Sequence, residues 1–179
     1  MKIKDLRLSL SAAPKKNDIR DYLNGLNITK THVTGSKGHV LCHINTYQND
    51  IPEGHDNIIV PTDTIKALLR KIWSKHENTE VAIFLVNEQY QLQCMNQLEV
   101  FEPIDHKYPD FKKHLDSVKA NDHNASLNHQ FDWGYVADAN KAICKHTDIT
   151  TPNRLYCTDQ VGYFMPSDEV IYIIMPCAL

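Results

Sequence analysis

The sequence lacks any long hydrophobic run. No stretch approaches the roughly 20 apolar residues of a membrane-spanning helix, and the N-terminus, MKIKDLRLSL, has no signal-peptide core. The cysteines are odd in number, scattered and without a CxxC pair, which argues against a disulfide framework or a zinc ribbon; they are Cys42, Cys94, Cys144, Cys157 and Cys177. These absences lead us to expect a cytoplasmic protein.

The sequence also lacks the common catalytic signatures. It contains no GxSxG, no glycine-rich phosphate loop and no HExxH. His39 and His43 are four residues apart, a spacing that places both on one side of a strand, and Cys144 is close to His146. No further ligand follows at a recognisable spacing. We therefore expect no catalytic residue, no metal site and no cofactor.

Acidic residues slightly outnumber basic ones, 22 against 19, but the positive charge is unevenly distributed. The formal net charge is −3, so the whole molecule is not a basic nucleic-acid binder. No acid occurs between Thr64 and His76, however, and the segments predicted to be helical carry the cations. Acids cluster instead in predicted loops and strands. Solvated helix faces give the same pattern, but three basic helices in one chain favour a surface that contacts phosphates without reading sequence.

Hydrophobic periodicity predicts a unit of one helix plus strands that occurs three times. The clearest helix is TDTIKALLRKIWSKH (62–76), and a second is expected at about 135–145. Residues 3–13 fit a strand or a helix, and the repeat favours a helix. The expected strands are a hairpin of 26–34 and 38–46 around residues 35–38, a strand at 57–61, a hairpin of 81–86 and 90–95 around residues 87–88, a strand at 98–103, and three closing strands within 154–159, 161–166 and 169–176.

The last residues, IYIIMPCAL (171–179), have strand composition almost to the carboxylate. Termini are usually polar and frayed unless something holds them. Two interpretations stay open at this point: an ordinary core strand, or one wall of a groove that another protein recognises.

Several segments, in this order, resemble the bacterial DNA sliding clamp, the β subunit of the replicative polymerase. They are DIRDYLNGL (18–26), GHVL (38–41), IIVPTDTIKALL (58–69), YPDF (108–111) and YIIMPCAL (172–179). The resemblance implies an α+β sliding-clamp fold, in which helix-plus-strands units place their helices on one face of antiparallel sheets. It also implies a protein without catalysis.

The resemblance covers only part of a clamp subunit. Residues 1–118 resemble the middle domain, 119–127 form a candidate linker, and 128–179 resemble the second half of the last domain. The chain therefore looks like a reduced clamp of a phage, prophage or plasmid. Two half-domains from two chains would complete one domain, which predicts a dimer or a tetramer.

The resemblance also implies two functional surfaces. The DNA-facing cations would be Lys4, Arg7, Arg20, Lys66, Arg70, Lys71, Lys141 and Lys145. The pocket for short clamp-binding peptides would use Leu23, Gly38, His39, Leu41, Pro109, Lys113, His114, Ile173, Ile174, Met175, Pro176 and Leu179. The chain departs from the family at Ser36-Lys37, Val40 and Cys177-Ala178, where the family has Thr-Asp, Arg and Met-Arg. Two arginines beside the pocket are therefore absent, which bears on peptide preference.

Two hypotheses follow. The first is a processivity factor that holds double-stranded DNA independently of sequence and tethers a polymerase, a clamp loader or repair proteins. The alternative is a clamp-fold adaptor or decoy that binds the same peptides without encircling DNA.

Overall fold

The computed structural model describes residues 1–119, 130–147, 154–158 and 160–177. The helices in these ranges are α1 (Ile3–Ser11), α2 (Thr62–Lys71), α3 (Lys112–Lys119) and α4 (Trp133–His146), with short 3-10 turns at Asp21–Asn24 and Ser74–His76. The strands are β1 (Gly25–Thr29), β2 (His32–Ser36), β3 (Val40–Asn45), β4 (Asn57–Pro61), β5 (Ala82–Val86), β6 (Gln89–Cys94), β7 (Gln97–Phe101), β8 (Tyr156–Cys157), β9 (Gly162–Ser167) and β10 (Val170–Ile174).

The strands form two antiparallel sheets. The larger has the order β4-β1-β2-β3-β10-β9-β8, and the smaller has the order β5-β6-β7. The predicted helix-plus-strands unit occurs three times, as α1 with β1–β3, α2 with β5–β7, and α4 with β8–β10. The third unit joins the first because β10 pairs with β3 over five residues, from Val170 opposite Ile44 to Ile174 opposite Val40. The α+β fold class predicted from the sequence is confirmed.

Residues 3–11 form a helix, which resolves the ambiguity of the N-terminal segment. α1 lies between α2 and α4, so it buries side chains on two sides. Ile3 and Leu6 pack into the core shared with α2, whereas Leu8 packs into the core shared with α4. Burial on both sides spreads apolar residues around the helix, which explains why the sequence alternates like a strand. At its start, Asp5 accepts a hydrogen bond from the backbone N–H of Lys2 at 2.7 Å.

Three predictions of where elements begin and end are wrong. The expected strand 26–34 is two strands, because the chain turns at Lys30-Thr31, where the backbone N–H groups of Thr31 and His32 donate to Thr29 Oγ1 at 3.2 and 3.1 Å. Gly35 and Ser36 belong to β2 rather than to a turn. The helix predicted over 62–76 ends at Lys71, and Ile72 is extended although it is buried in the core.

The core has three parts. One lies between the two sheets and contains α1 and α2; a second lies between α1, α4 and strands β3, β9 and β10. The third lies on the opposite face of the larger sheet, where the segment 111–118 covers β3, β9 and β10. The sheet of the third unit is therefore covered on both faces, by α4 and by α3. Most of the predicted linker, residues 120–127, and the start of the predicted half-domain lie outside the described residues.

Candidate functional site

The helices α1, α2 and α4 form a side-by-side surface, here called the helix face. A groove of about 310 Å³ runs along it, and its lining is mostly basic and apolar; the lining residues are Arg7, Leu10, Ser11, Ala13, Pro14, Lys15, Lys66, Leu69, Lys145 and His146. No carboxylate lines this groove within the described part of the chain. The groove brings together one cation from each helix, Arg7, Lys66 and Lys145.

Half of the predicted DNA-facing cations are already paired with acids. The pairs are Arg7 with Glu77 at 3.0 Å, Arg20 with Asp18 at 2.9 Å, Lys66 with Asp63 at 3.1 Å and Lys71 with Glu99 at 2.6 Å. Across the described ranges, no ion pair within 4.0 Å involves Lys4, Arg70, Lys141 or Lys145. Of these four, Arg70, Lys141 and Lys145 are exposed. Within the described residues, the exposed cations of this set without an acid partner therefore lie on α4 and at the end of α2.

His146, at the end of α4, lines the groove together with several cations. Partial burial lowers its pKa to about 4, and the neighbouring charges of Lys145 and Arg7 act in the same direction. Both neighbours line the same groove. Burial is the largest cause of this lowered pKa and the two cations add to it, so the ring is neutral at pH 7.

Arg20 lies apart from the helix face, in the loop before β1. Its guanidinium packs against the β2–β3 turn, where a Cβ built on Gly38 would be 2.9 Å from Arg20 Nη1. Asp18 holds it there through two side-chain hydrogen bonds of 2.9 and 3.0 Å. The same contact lowers the pKa of Asp18 to about 2. This position places Arg20 beside the residues of the predicted peptide pocket.

On the opposite face of the larger sheet, β3 and β10 bring together predicted pocket residues from both ends of the chain. Leu41 on β3 is opposite Ile173 on β10, and both side chains are buried. Beyond the strand, the backbone N–H of Met175 donates to the carbonyl oxygen of His39 at 2.9 Å. The C-terminal segment thus continues along the β2–β3 turn as far as Met175. We call the region formed by Leu41, Ile173, Met175 and the β2–β3 turn the C-terminal site.

α3 and the residue before it cover the C-terminal site from the other side. Val118 is fully buried against Leu41 and Ile173, and Phe111 and Leu115 pack against the same cluster. Pro109, Lys113 and His114 belong to the same segment: Pro109 and His114 are half-buried, and Lys113 is exposed. The segment 108–118 therefore stands next to the strands that supply the other predicted pocket residues.

The remaining predicted pocket residues differ in orientation. Met175 and Pro176 are half-buried, and Gly38 and His39 are exposed. Leu23 is buried in the turn before β1. Ile174 is on the other side of the sheet, where it packs in the core under α4. Leu179 lies outside the described residues.

The β2–β3 turn requires a glycine and carries two contacts that the sequence does not predict. Gly38 has φ +92°, a conformation that L side chains rarely adopt. On either side of it, His39 stacks on Tyr135 with centroids 6.1 Å apart, and Lys37 Nζ lies 4.4 Å from the Tyr135 ring centroid. Tyr135 is on α4, so these contacts tie the turn to the third unit.

Sequence reasoning missed α3 as well as Tyr135. The spacing of Phe111, Leu115 and Val118, at i, i+4 and i+7, is a helical signal. It was obscured because the surrounding residues are polar and lead into the predicted linker. The Tyr135 contacts leave no local signal, since the turn and α4 are far apart in the chain.

Neither a metal centre nor a membrane span emerges from the described residues. Within these ranges no three His, Cys, Asp or Glu side chains are grouped to hold a metal ion, and no helix is long and apolar enough to cross a bilayer.

Solved structures of bacterial sliding clamps share this fold. The DNA polymerase sliding clamp of Pseudomonas aeruginosa superposes with a TM-score of 0.67 at 17% identity, covering 100% of this chain and 66% of that one. The sliding clamp of Bacillus subtilis gives 0.67 at 16% identity, with coverages of 99% and 62%. The DNA polymerase III β subunit of Thermotoga maritima gives 0.67 at 10% identity, with coverages of 98% and 62%.

In sequence, no family model and no curated protein matches the chain. The chain spans 62 to 66% of the length of these three clamps, so the likeness covers a part of a clamp subunit. At this level of identity the likeness establishes the fold. The chain has the fold of a DNA polymerase sliding clamp.

Proposed function

We propose that the protein is a DNA sliding clamp of reduced size, a processivity factor that tethers replication proteins to double-stranded DNA. The observation that carries the proposal is the helix face, where one groove gathers cations from three helices. Arg7 and Lys66 are paired with acids there, and Lys145 has no ion pair among the described residues. Such a surface attracts phosphates by charge alone, so the protein slides instead of recognising a sequence. The fold shared with sliding clamps supports the same function.

The C-terminal site is proposed as the point of attachment for the partners. Half-buried Met175, Pro176 and Pro109 supply apolar surface, and exposed His39 and Lys113 supply polar contacts at its margin. A short peptide with a leucine or an aromatic anchor suits such a surface. The partners would be a replicative polymerase, a clamp loader or repair proteins that carry clamp-binding motifs.

A closed ring would require several chains. Each chain supplies three helix-plus-strands units, and a clamp domain comprises two. Four chains would therefore supply the units of six domains. In such a ring, two half-domains from neighbouring chains would together form one complete domain. This arrangement extends the predicted dimer or tetramer, and it agrees with the preference of oligomers for closed symmetry.

The function is tested by reversing charge on α4. Lys141→Glu with Lys145→Glu changes two exposed cations that have no acid partner among the described residues. We expect affinity for a mixed-sequence duplex to fall by about 10- to 100-fold, and the slope of log K against log salt to decrease by about 2. Lys30→Glu with Lys107→Glu is the matched control, since both lysines are exposed and lie outside the helices. Equal losses in both double variants would contradict a DNA-facing role for the helix face.

A second candidate function is the adaptor that binds clamp-binding peptides without encircling DNA. The observation that favours it is the pairing of Arg7, Lys66 and Lys71 with acids, which reduces the free charge of the helix face. An adaptor requires only the C-terminal site. Removal of residues 175–179 would then abolish peptide binding, while the charge reversal on α4 would have no effect in a replication assay. If the α4 reversal also removes activity, the adaptor is excluded.

A further inference from the structure

No described strand covers the outer edge of β7. β5, at the other side of the small sheet, is covered near its start, because the backbone N–H of Val81 donates to Met1 O at 2.7 Å and that of Ile83 donates to Asp50 O at 2.9 Å. β7 pairs with β6 and, within the described residues, with no other strand. An uncovered strand edge exposes backbone N–H and C=O groups that can pair with another chain.

Apolar exposure is concentrated in the same small sheet. Of the ten large hydrophobic residues that are exposed in the described ranges, six lie on β5, on β7 or in the β6–β7 turn; these are Phe84, Leu85, Val86, Met95, Leu98 and Val100. On β7 itself, Leu98 is 41% exposed and Val100 52% exposed. Both face away from α2, since Glu99 and Phe101 occupy the alternate positions on the helix side. An apolar face beside an open edge marks an association surface.

The molecule already contains one example of how such an edge is covered. The strands β3, β7 and β10 are each the third strand of a unit. β3 and β10 meet edge to edge and pair antiparallel over five residues. Within the described chain, β7 is the third strand left without such a partner, and it also has five residues.

We propose that the open edge of β7 binds β7 of a second copy of the chain. Antiparallel pairing allows a two-fold axis, and full overlap of two five-residue strands places Glu99 opposite the partner's Glu99. The same register places Leu98 opposite the partner's Val100, so the exposed apolar residues cover each other across the junction. The interface deepens the proposed function, on which it rests, by naming one junction between chains. The pairing itself requires neither DNA nor a peptide, so it is tested separately from both.

Charge is compatible with this register. Two carboxylates directly opposite each other would repel. Each Glu99, however, is only 18% exposed and is bound to Lys71 of its own chain at 2.6 Å. The two-fold axis therefore brings together two carboxylates that are each neutralised by a lysine of their own chain.

A disulfide cross-link tests the register. In a chain whose exposed cysteines are removed (Cys144→Ser and Cys177→Ser), Glu99→Cys is compared with Gln97→Cys on the same side of the strand. We expect mild oxidation to give a covalent dimer of the Glu99→Cys chain, since directly opposed residues have Cα atoms about 4.5–5.5 Å apart. Two Gln97→Cys residues would be about 14 Å apart, four residues along the strand, and should not bridge. No dimer from Glu99→Cys, or equal yields from both, would overturn the register.

Solution mass tests the interface independently of the cross-link. Val100→Asp and Val86→Asp are matched, because both residues lie on the outer face of the small sheet and are 52% and 45% exposed. We expect Val100→Asp to weaken one association step by at least about 30-fold in light scattering, and Val86→Asp to leave it unchanged. Equal effects, or a wild-type chain that is monomeric at every concentration, would overturn the proposal. If β7 bound a different protein, Val100→Asp would weaken that binding as well, but the wild-type chain alone would be monomeric.

Discussion

The two faces of the larger sheet are built differently. On the sheet face that α1 and α4 cover, Leu8, Cys42 and Phe164 pack in a continuous apolar core. On the opposite face, the first three strands instead present the polar side chains Asn27, Thr34 and His43, which line a groove of about 410 Å³. Among the described residues, the apolar part of this face covers β9, β10 and Leu41 of β3, and it lies under α3.

The difference shows how one sheet can serve two purposes. Apolar packing fixes α1 and α4 on their sheet, so the outward surfaces of these helices are free to carry charge. The opposite face is only partly covered, which leaves the margin of the C-terminal site exposed. The comparison can be tested with substitutions on each face.

The largest expected effect comes from two tyrosines that are fully buried on opposite faces. Tyr172 lies on the sheet face that α1 and α4 cover. Tyr172→Ala should reduce the free energy of unfolding by about 3–5 kcal/mol, because α1 and α4 cannot fill the space. Tyr163→Ala should cost about 2–3 kcal/mol, since the residues that cover it are themselves partly exposed and can readjust. Urea denaturation measures both. A larger loss for Tyr163→Ala would contradict the comparison.

A control separates packing from hydrogen bonding at Tyr172. Its hydroxyl lies 3.2 Å from Ser11 Oγ. Tyr172→Phe removes only this contact, and about 1 kcal/mol is the expected loss.

The next effect concerns peptide binding at the C-terminal site. Met175→Ala should weaken binding of a clamp-binding peptide by about 10-fold or more, because Met175 follows β10 at the margin of the site. Met165→Ala is matched to it, since Met165 is also half-buried against the same cluster but lies on β9. Isothermal titration with the peptide compares the two. If both variants bind with wild-type affinity, the C-terminal site is not the peptide site.

A smaller effect is expected in the polar part of the sheet. Thr34 Oγ1 and His43 Nδ1 are 2.9 Å apart, and both residues are buried. Thr34→Val should therefore cost about 1–2 kcal/mol, because the imidazole loses a hydrogen-bond partner in a buried position. Thr31→Val, at an exposed turn, should change stability by less than about 0.5 kcal/mol. A neutral Thr34→Val would mean that this polar row does not stabilise the sheet.

The smallest effect is a pH dependence specific to the helix face. The pKa of His146 is about 4 in the folded protein, below its ordinary value of 6.5, so the unfolded chain binds more protons between these values. The contribution of His146 to the free energy of unfolding should therefore be fully present above pH 6.5. It should fall by about 1 kcal/mol as the pH drops towards 4, after allowing for the partial exposure of the ring. Thermal unfolding of His146→Gln, compared with wild type from pH 7 to 4.5, should show a weaker dependence. An identical slope would assign the effect to other groups.

Local signals predicted much of the fold. The apolar spacing of Ile65, Leu68 and Leu69 predicts α2, and all three are buried. The turn at Asn87-Glu88 has positive φ at both residues, 48° and 64°, as a tight hairpin requires. Signals of this kind depend on neighbours within a few residues, which a sequence displays directly.

Contacts between distant segments could not be predicted in the same way. The pairing of β3 with β10 and the ion pair of Lys71 with Glu99 depend on how separate units meet. The cation pattern alone therefore overstated the free charge of the helix face. The resemblance to sliding clamps predicted that residues from both ends of the chain form one site, and in the structure Leu41 is opposite Ile173. Peptide binding at this site stays a prediction. The phage, prophage or plasmid type of the chain also stays a prediction.

Retention on circular DNA tests the central claim most directly. The chain is allowed to associate at high concentration with a nicked circular duplex, the salt is then raised to screen simple phosphate contacts, and bound protein is measured before and after the circle is cut once. A ring that encircles DNA predicts protein that stays on the circle at high salt and is lost when the circle is linearised. Release at high salt from circular and linear DNA alike would contradict a sliding clamp.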